Sequence, residues 1–199
     1  MLILISNPTP VTKEAFLINQ LFDEGLAIFH LRKPDSSTQE LVLLLQEINP
    51  IHYSKIALHS HHYLAKSFGI NRQHYTEAGL KQVSEVNLSE QKLENKLSTS
   101  VHSILDFKKI PDYFDYAFLS PVFNSISKPN YTAQEFDLTD IDKKSTTKLI
   151  ALGGINETNC HMALDMGFDG IALLGSIWNS ENKIKAFKTI QSVCSTIAQ

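Results

Sequence analysis

The chain has 199 residues, 43% of them hydrophobic and 20% charged, which suits one globular domain with a substantial core. A formal net charge of −3 gives no bulk attraction to nucleic acid or to an anionic membrane, so neither is expected as a partner. Cys160 and Cys194, without metal-ligand spacing, read as reduced thiols of a cytoplasmic protein.

Residues 2–5, LILI, are wholly apolar, as a strand buried on both faces must be. The run has no basic flank, Pro8 and Pro10 follow, and it is too short for a signal peptide or a membrane span. Thr12 is placed to cap a helix over 13–24, which Gly25 stops. A second strand is expected over 27–31. Ser37 and Glu40 form a capping-box pattern before a helix that ends near Ile48, where Asn49 and Pro50 break it. A short third strand over 55–58 and a helix of one or two turns over 63–68 come next. Residues 73–75 give a weak fourth strand.

A polar helix is expected over 88–97, with Ser89 as its cap. Then come a fifth strand over 98–101, a short helix over 103–109 and a sixth strand over 116–119. Residues 121–131 mix Asn, Ser, Lys and Pro without periodicity and read as a long loop, a feature often used as a functional lid. One or two helical turns are expected over 138–143. Apolar runs over 149–152 and 170–174 give the last two strands, with a helix over 157–166 between them. A final helix covers 181–198, where Ile184, Phe187, Ile190, Val193 and Cys194 fall at helical spacing.

Strands alternating with helices imply a parallel sheet, and eight such units imply an α/β fold of (β/α)8 barrel type, one domain over 1–199. An open doubly wound sheet is the runner-up, but the first strand–helix turn reads SNPTP and lacks the GxGxxG fingerprint.

The candidate chemistry lies at the expected strand ends. The seventh strand runs into Gly153 and Gly154, and the eighth into Gly175 and Ser176. Two glycine turns on neighbouring strand ends let backbone N–H groups approach a phosphate, which is where barrels of this kind hold one. Either turn alone would be an ordinary tight turn. His30, Arg32 and Lys33 close the second strand in FHLRKP; His30 and Arg32 share a face, and a guanidinium there suits a carboxylate or phosphate. His59, His61 and His62 follow the third strand in LHSHHY. No carboxylate accompanies them, so no metal is expected, and His59 reads as a pocket residue. His102 ends the fifth strand, as a general acid–base group would; an imidazole bonded to a backbone carbonyl is the bland alternative. Lys128, in the long loop, reads on spacing alone as an exposed lysine.

Taken together, FHLRKP, LHSHHYLAKSFGI, STSVHS, YAFLSPVFNSISKP, IALGGIN and GFDGIALLGSI resemble the thiamine phosphate synthase superfamily, which includes the TenI-type thiazole tautomerases. The resemblance implies a barrel that binds a phosphorylated thiazole, with the two glycine turns as its phosphate site. It makes Arg32 the strand-2 arginine and Lys128 the lysine of the strand-6 loop. Synthases resemble one another in an Asn-Asp-Arg motif after strand 3 and an acidic motif after strand 4, whose aspartates hold Mg²⁺. Here the first reads His59-Ser60-His61 and the second Thr76-Glu77-Ala78-Gly79, and His30 stands where synthases have Gln. SVHS, from Ser100 to Ser103, resembles the TenI-type motif, which makes His102 the proton-transfer residue and adds Ser100 to the substrate-binding set.

The expected reaction is therefore a thiazole tautomerase-type proton transfer without a cofactor. The alternative is the synthase, a transferase that joins a pyrimidine diphosphate to the thiazole phosphate with Mg²⁺. A non-catalytic phosphate-ligand binder and another phosphosugar-type barrel isomerase remain open. A homodimer is compatible with each, and the sequence sets no oligomeric state.

Overall fold

A computed structural model of the chain describes residues 1–124, 136, 138, 141 and 146–197. Eight parallel strands close in sequence order: β1 (Leu2–Ile5), β2 (Ile28–Leu31), β3 (Ile56–Leu58), β4 (Arg72–Tyr75), β5 (Lys96–Val101), β6 (Tyr116–Leu119), β7 (Lys148–Leu152) and β8 (Gly170–Leu173). β8 pairs back onto β1, Leu2 with Ile171 and Leu4 with Leu173, so the barrel has no free edge. The expected (β/α)8 barrel is the fold of this chain.

Alternation along each strand divides the core in two. Ile3, Ile5, Ile28, Ala57, Phe118, Ile150 and Ala172 fill the barrel. Leu4, Phe29, Leu31, Ile56, Ala117 and Ile171 point outward and are covered by helices. The helices are α1 (Glu14–Asp23), α2 (Thr38–Glu47), α3 (Leu64–Phe68), α4 (Glu77–Leu80), α5 (Glu85–Lys92), α6 (Ile104–Phe107), α7 (Cys160–Asp165), α8 (Gly175–Trp178) and α9 (Lys183–Ile197). A 3-10 helix over Pro50–Lys55 follows α2. None is long and apolar enough to cross a membrane.

Local signals account for most boundaries. The Ser37–Glu40 capping box forms as expected. Thr12 does not cap α1; Lys13 occupies the cap position at φ 57°, and Glu14 instead accepts the Val11 N–H at 3.2 Å. The polar helix starts earlier than expected, because Ser84, not Ser89, is the cap and accepts a first-turn N–H, that of Asn87. It also ends earlier: Lys96 donates to the Asn71 carbonyl and Leu97 is fully buried, so both belong to β5. α4, capped by Thr76, and α8 were not anticipated. The helical turn expected over 138–143 lies largely outside the described residues.

Candidate active site

The barrel interior is polar where β2 to β6 meet. His30 and His74 are fully buried, and Ser98 nearly so. The register explains the meeting: His74 pairs with Ser98, and Ser98 with Tyr116. His74 Nδ1 lies 3.0 Å from Ser98 Oγ and Nε2 lies 3.1 Å from Ser100 Oγ. His30 bridges the Tyr116 hydroxyl at 2.7 Å and His59 Nε2 at 2.8 Å. The His59 and His74 rings stack with centroids 4.0 Å apart. A buried polar group without a partner costs about 1–3 kcal/mol, so these bonds are what allow histidines inside a barrel of short strands.

Burial also sets their charge. It holds His30 and His59 well below the ordinary imidazole range, with the neighbouring His74 adding to both, and it takes His74 down to about 3. The Arg32 charge pushes His59 and His74 the same way. All three rings are neutral at pH 7. Burial raises the Tyr116 phenol to about 12, so it stays protonated.

Above this layer lies the mouth, where the strands end. Arg32, after β2, is exposed there. His102, after β5, is exposed and its Nδ1 lies 3.0 Å from the Ser120 carbonyl. A carbonyl accepts only, so Nδ1 carries the proton and Nε2 is left as a base. Beside it a cavity of about 410 Å³ is lined by Glu77, Thr99, His102, Asp106, Lys109 and Tyr113, among others. Gly153 and Gly154 take φ of +99° and +67°, and a Cβ at Gly154 would sit 2.5 Å from the Asn124 carbonyl, so only glycine fits under the chain leaving β6. Gly175 opens α8, and the hydroxyl of Ser176 is buried with no partner among the described residues.

The expected set therefore separates into levels. Arg32, His102 and the two glycine turns lie on the rim. His59 is partly exposed at the top of the histidine group, while His30 lies beneath it with both nitrogens bonded to protein. Ser100 is engaged by His74. Lys33 is buried and bonded to Glu14 at 2.7 Å and the Thr9 carbonyl at 2.9 Å, which makes it a structural cation. His61 contacts Thr38 and Tyr63, and His62 the Leu58 carbonyl, so neither joins His59. Lys128 lies outside the described residues. His74, Ser98 and Tyr116 were not anticipated. The signal was present: in RQHY and KLSTSV, alternation puts Arg72 and His74 on one face, and Ser98 and Ser100 on the face of His102.

A closed parallel barrel with helices between its strands, glycine turns after its last two strands and ionisable groups around the carboxyl-end rim defines the class, a (β/α)8 barrel. The sequence profile of one such family, described as thiamine monophosphate synthase (TMP-TENI), matches residues 2–177. The chain belongs to that family. A thiamine-phosphate synthase of Methanobrevibacter smithii is 24% identical over 195 residues, 90% of this chain and 92% of that protein. One of Anoxybacillus flavithermus is 33% identical over 91 residues, so the match spans 43% of this chain and 42% of that relative. The crystal structure of a thiamine phosphate pyrophosphorylase from Bacteroides thetaiotaomicron is 32% identical, covers 98% of this chain and 97% of its own, and has a TM-score of 0.79. Both curated relatives carry the synthase name. They back the transferase alternative better than the isomerase that the SVHS motif put first.

Proposed function

We propose that the protein is an enzyme of thiamine biosynthesis that binds a phosphorylated thiazole at the barrel mouth and moves a proton on it, with His102 as the acid–base group. The observation that carries this is the tether from His102 to Ser120, which fixes the tautomer and leaves Nε2 of an exposed ring as a base. Nε2 takes a proton from one substrate atom and returns it to another, with no net change in protons. The turns at Gly153–Gly154 and Gly175–Ser176 hold the phosphate, and the Ser176 hydroxyl, without a partner among the described residues, bonds to it. Arg32 holds the carboxylate. Lys128, which follows β6 in the sequence, would bind the same anion. The setting is the cytoplasm, consistent with two free cysteines.

The second reading, favoured by the relatives' names, is thiamine phosphate synthase. It shares the phosphate anchor and implies Mg²⁺. Mg²⁺ requires oxygen ligands in near-octahedral geometry. The ends of β3 and β4 offer His59, Ser60, His61, Thr76 and an exposed Glu77 held by Lys81 at 2.9 Å, a donor set that does not fit it. Side-by-side assays on the purified protein decide. Tautomerisation of the thiazole carboxylate phosphate, unaffected by EDTA, supports the first reading. Release of diphosphate that EDTA abolishes supports the second. Calorimetric binding of thiazole phosphate with turnover in neither assay means a binding protein.

A further inference from the structure

We propose that His30, His59 and His74 form a transition-metal site inside the barrel beneath the mouth, suited to Zn²⁺, Co²⁺ or Ni²⁺. One ring nitrogen from each lies within 4.8 Å of those of the other two. Zn–N bonds of about 2.0–2.1 Å in a tetrahedral arrangement set nitrogen ligands roughly 3.3 Å apart. His30 Nδ1 and His59 Nε2, now 2.8 Å apart, need to part by only about half an ångström to admit an ion.

The outer partners of the rings support this assignment. His59 Nδ1, the far nitrogen once Nε2 turns to the ion, is buried without a partner among the described residues. The other two rings have outer partners. A metal-bound histidine keeps a proton on its far nitrogen and donates it to a second group, which fixes the ring. For His30 that group is the Tyr116 hydroxyl at 2.7 Å, and for His74 it is Ser98 at 3.0 Å. This leaves His74 Nε2, now bonded to Ser100, to turn to the ion. Neutral imidazoles offer lone pairs without first losing a proton.

Ligand chemistry selects the metal. Three nitrogens and no carboxylate suit Zn²⁺, Co²⁺, Ni²⁺ or Cu²⁺, not Mg²⁺ or Ca²⁺. Arg32, close enough to bias His59 and His74, adds positive charge. The fourth position would therefore favour an anion: hydroxide, or a carboxylate or phosphate entering from the mouth. The site holds whichever reaction the rim performs.

The test uses metal alone. Chelator-treated protein, freed of chelator, is titrated with Co²⁺ and then Zn²⁺ without substrate. Expected are one Co²⁺ per chain with the visible absorption of a low-coordinate, nitrogen-ligated ion, and its bleaching by Zn²⁺. His74→Asn should abolish binding, Tyr116→Phe should weaken it by about 10–100-fold, and His61→Ala, outside the cluster, should bind as the unaltered protein does. An unaltered protein that retains no metal after gel filtration overturns the site. So does His61→Ala losing metal as fully as His74→Asn. Circular dichroism checks folding; if His74→Asn does not fold, His59→Asn replaces it, and the stoichiometry of the unaltered protein decides by itself.

Discussion

His102 Nδ1 lies 3.0 Å from the Ser120 carbonyl, tying the end of β5 to the end of β6. The bond sets which nitrogen can act as a base. His102→Gln keeps a polar side chain of similar reach but cannot shuttle a proton. Turnover in the proton-transfer assay should fall by about 10²–10⁴-fold, with thiazole phosphate affinity within a few-fold of the unaltered protein by calorimetry. Loss of affinity with turnover per bound complex intact would make His102 a binding residue instead.

Lys33 and Glu14 make a 2.7 Å ion pair whose side chains are only 3% and 5% exposed. The other Glu14 oxygen, Oε1, has no partner among the described residues, and burial raises the Glu14 carboxyl against the pull of Lys33. Removing one partner leaves an uncompensated buried charge. Lys33→Met should therefore cost about 3–5 kcal/mol in urea unfolding, and Lys33→Met with Glu14→Leu should recover most of it. Affinity for thiazole phosphate should hold in the double variant. A selective loss of affinity there would return Lys33 to the substrate.

These residues also mark what the sequence discloses. Apolar strand runs, the Ser37–Glu40 capping box and glycine after strands 7 and 8 are local signals, and local signals place strands and turns. Lys33 reads from its neighbours as a rim charge, and only the distant Glu14 makes it structural. β4 looks weak because its inward residue is a histidine, and what stabilises that histidine is 24 and 26 residues away in Ser98 and Ser100. The histidine group was half visible for the same reason: His30 and His59 stand out at strand ends, but register alone brings His74 between them and the β5 serines. The choice of reaction rests on single residues set on a shared anchor, so fold and family do not decide it.

Gly154 offers a test, with an internal control, of the proposal that its turn holds phosphate. At φ +67° its Cβ would meet the Asn124 carbonyl at 2.5 Å and the Phe123 carbonyl at 2.6 Å. Gly167 has φ +102° but open space around it. Alanine at either position bears backbone strain of about 1–2 kcal/mol, but only Gly154→Ala also displaces the chain leaving β6. Gly154→Ala should lower the melting temperature more than Gly167→Ala. It alone should weaken thiazole phosphate binding, by about tenfold or more if roughly 1.4 kcal/mol of anchoring is lost. Equal affinities in the two variants would detach the turn from the ligand.

The buried histidines set how stability responds to acid. In the unfolded chain they titrate near about 6.5; in the fold His30, His59 and His74 are all held lower, His74 down to about 3. Above about pH 6.5 they are neutral in both states and stability does not depend on them. Below it the unfolded chain binds protons that the fold refuses, so unfolding takes up protons. Each such histidine then removes up to about 1.4 kcal/mol per pH unit until pH reaches its folded value. His52 and His62, lowered less completely by burial, act in the same direction. Urea midpoints should fall as pH drops from about 6.5 to 5, with a slope that approaches about three protons or more, and His74→Gln should reduce that uptake by about one. A midpoint that does not change over this range would mean that the three rings are not held neutral. Saturating Zn²⁺ should steepen the acid dependence, because protons then compete with the ion for the same nitrogens.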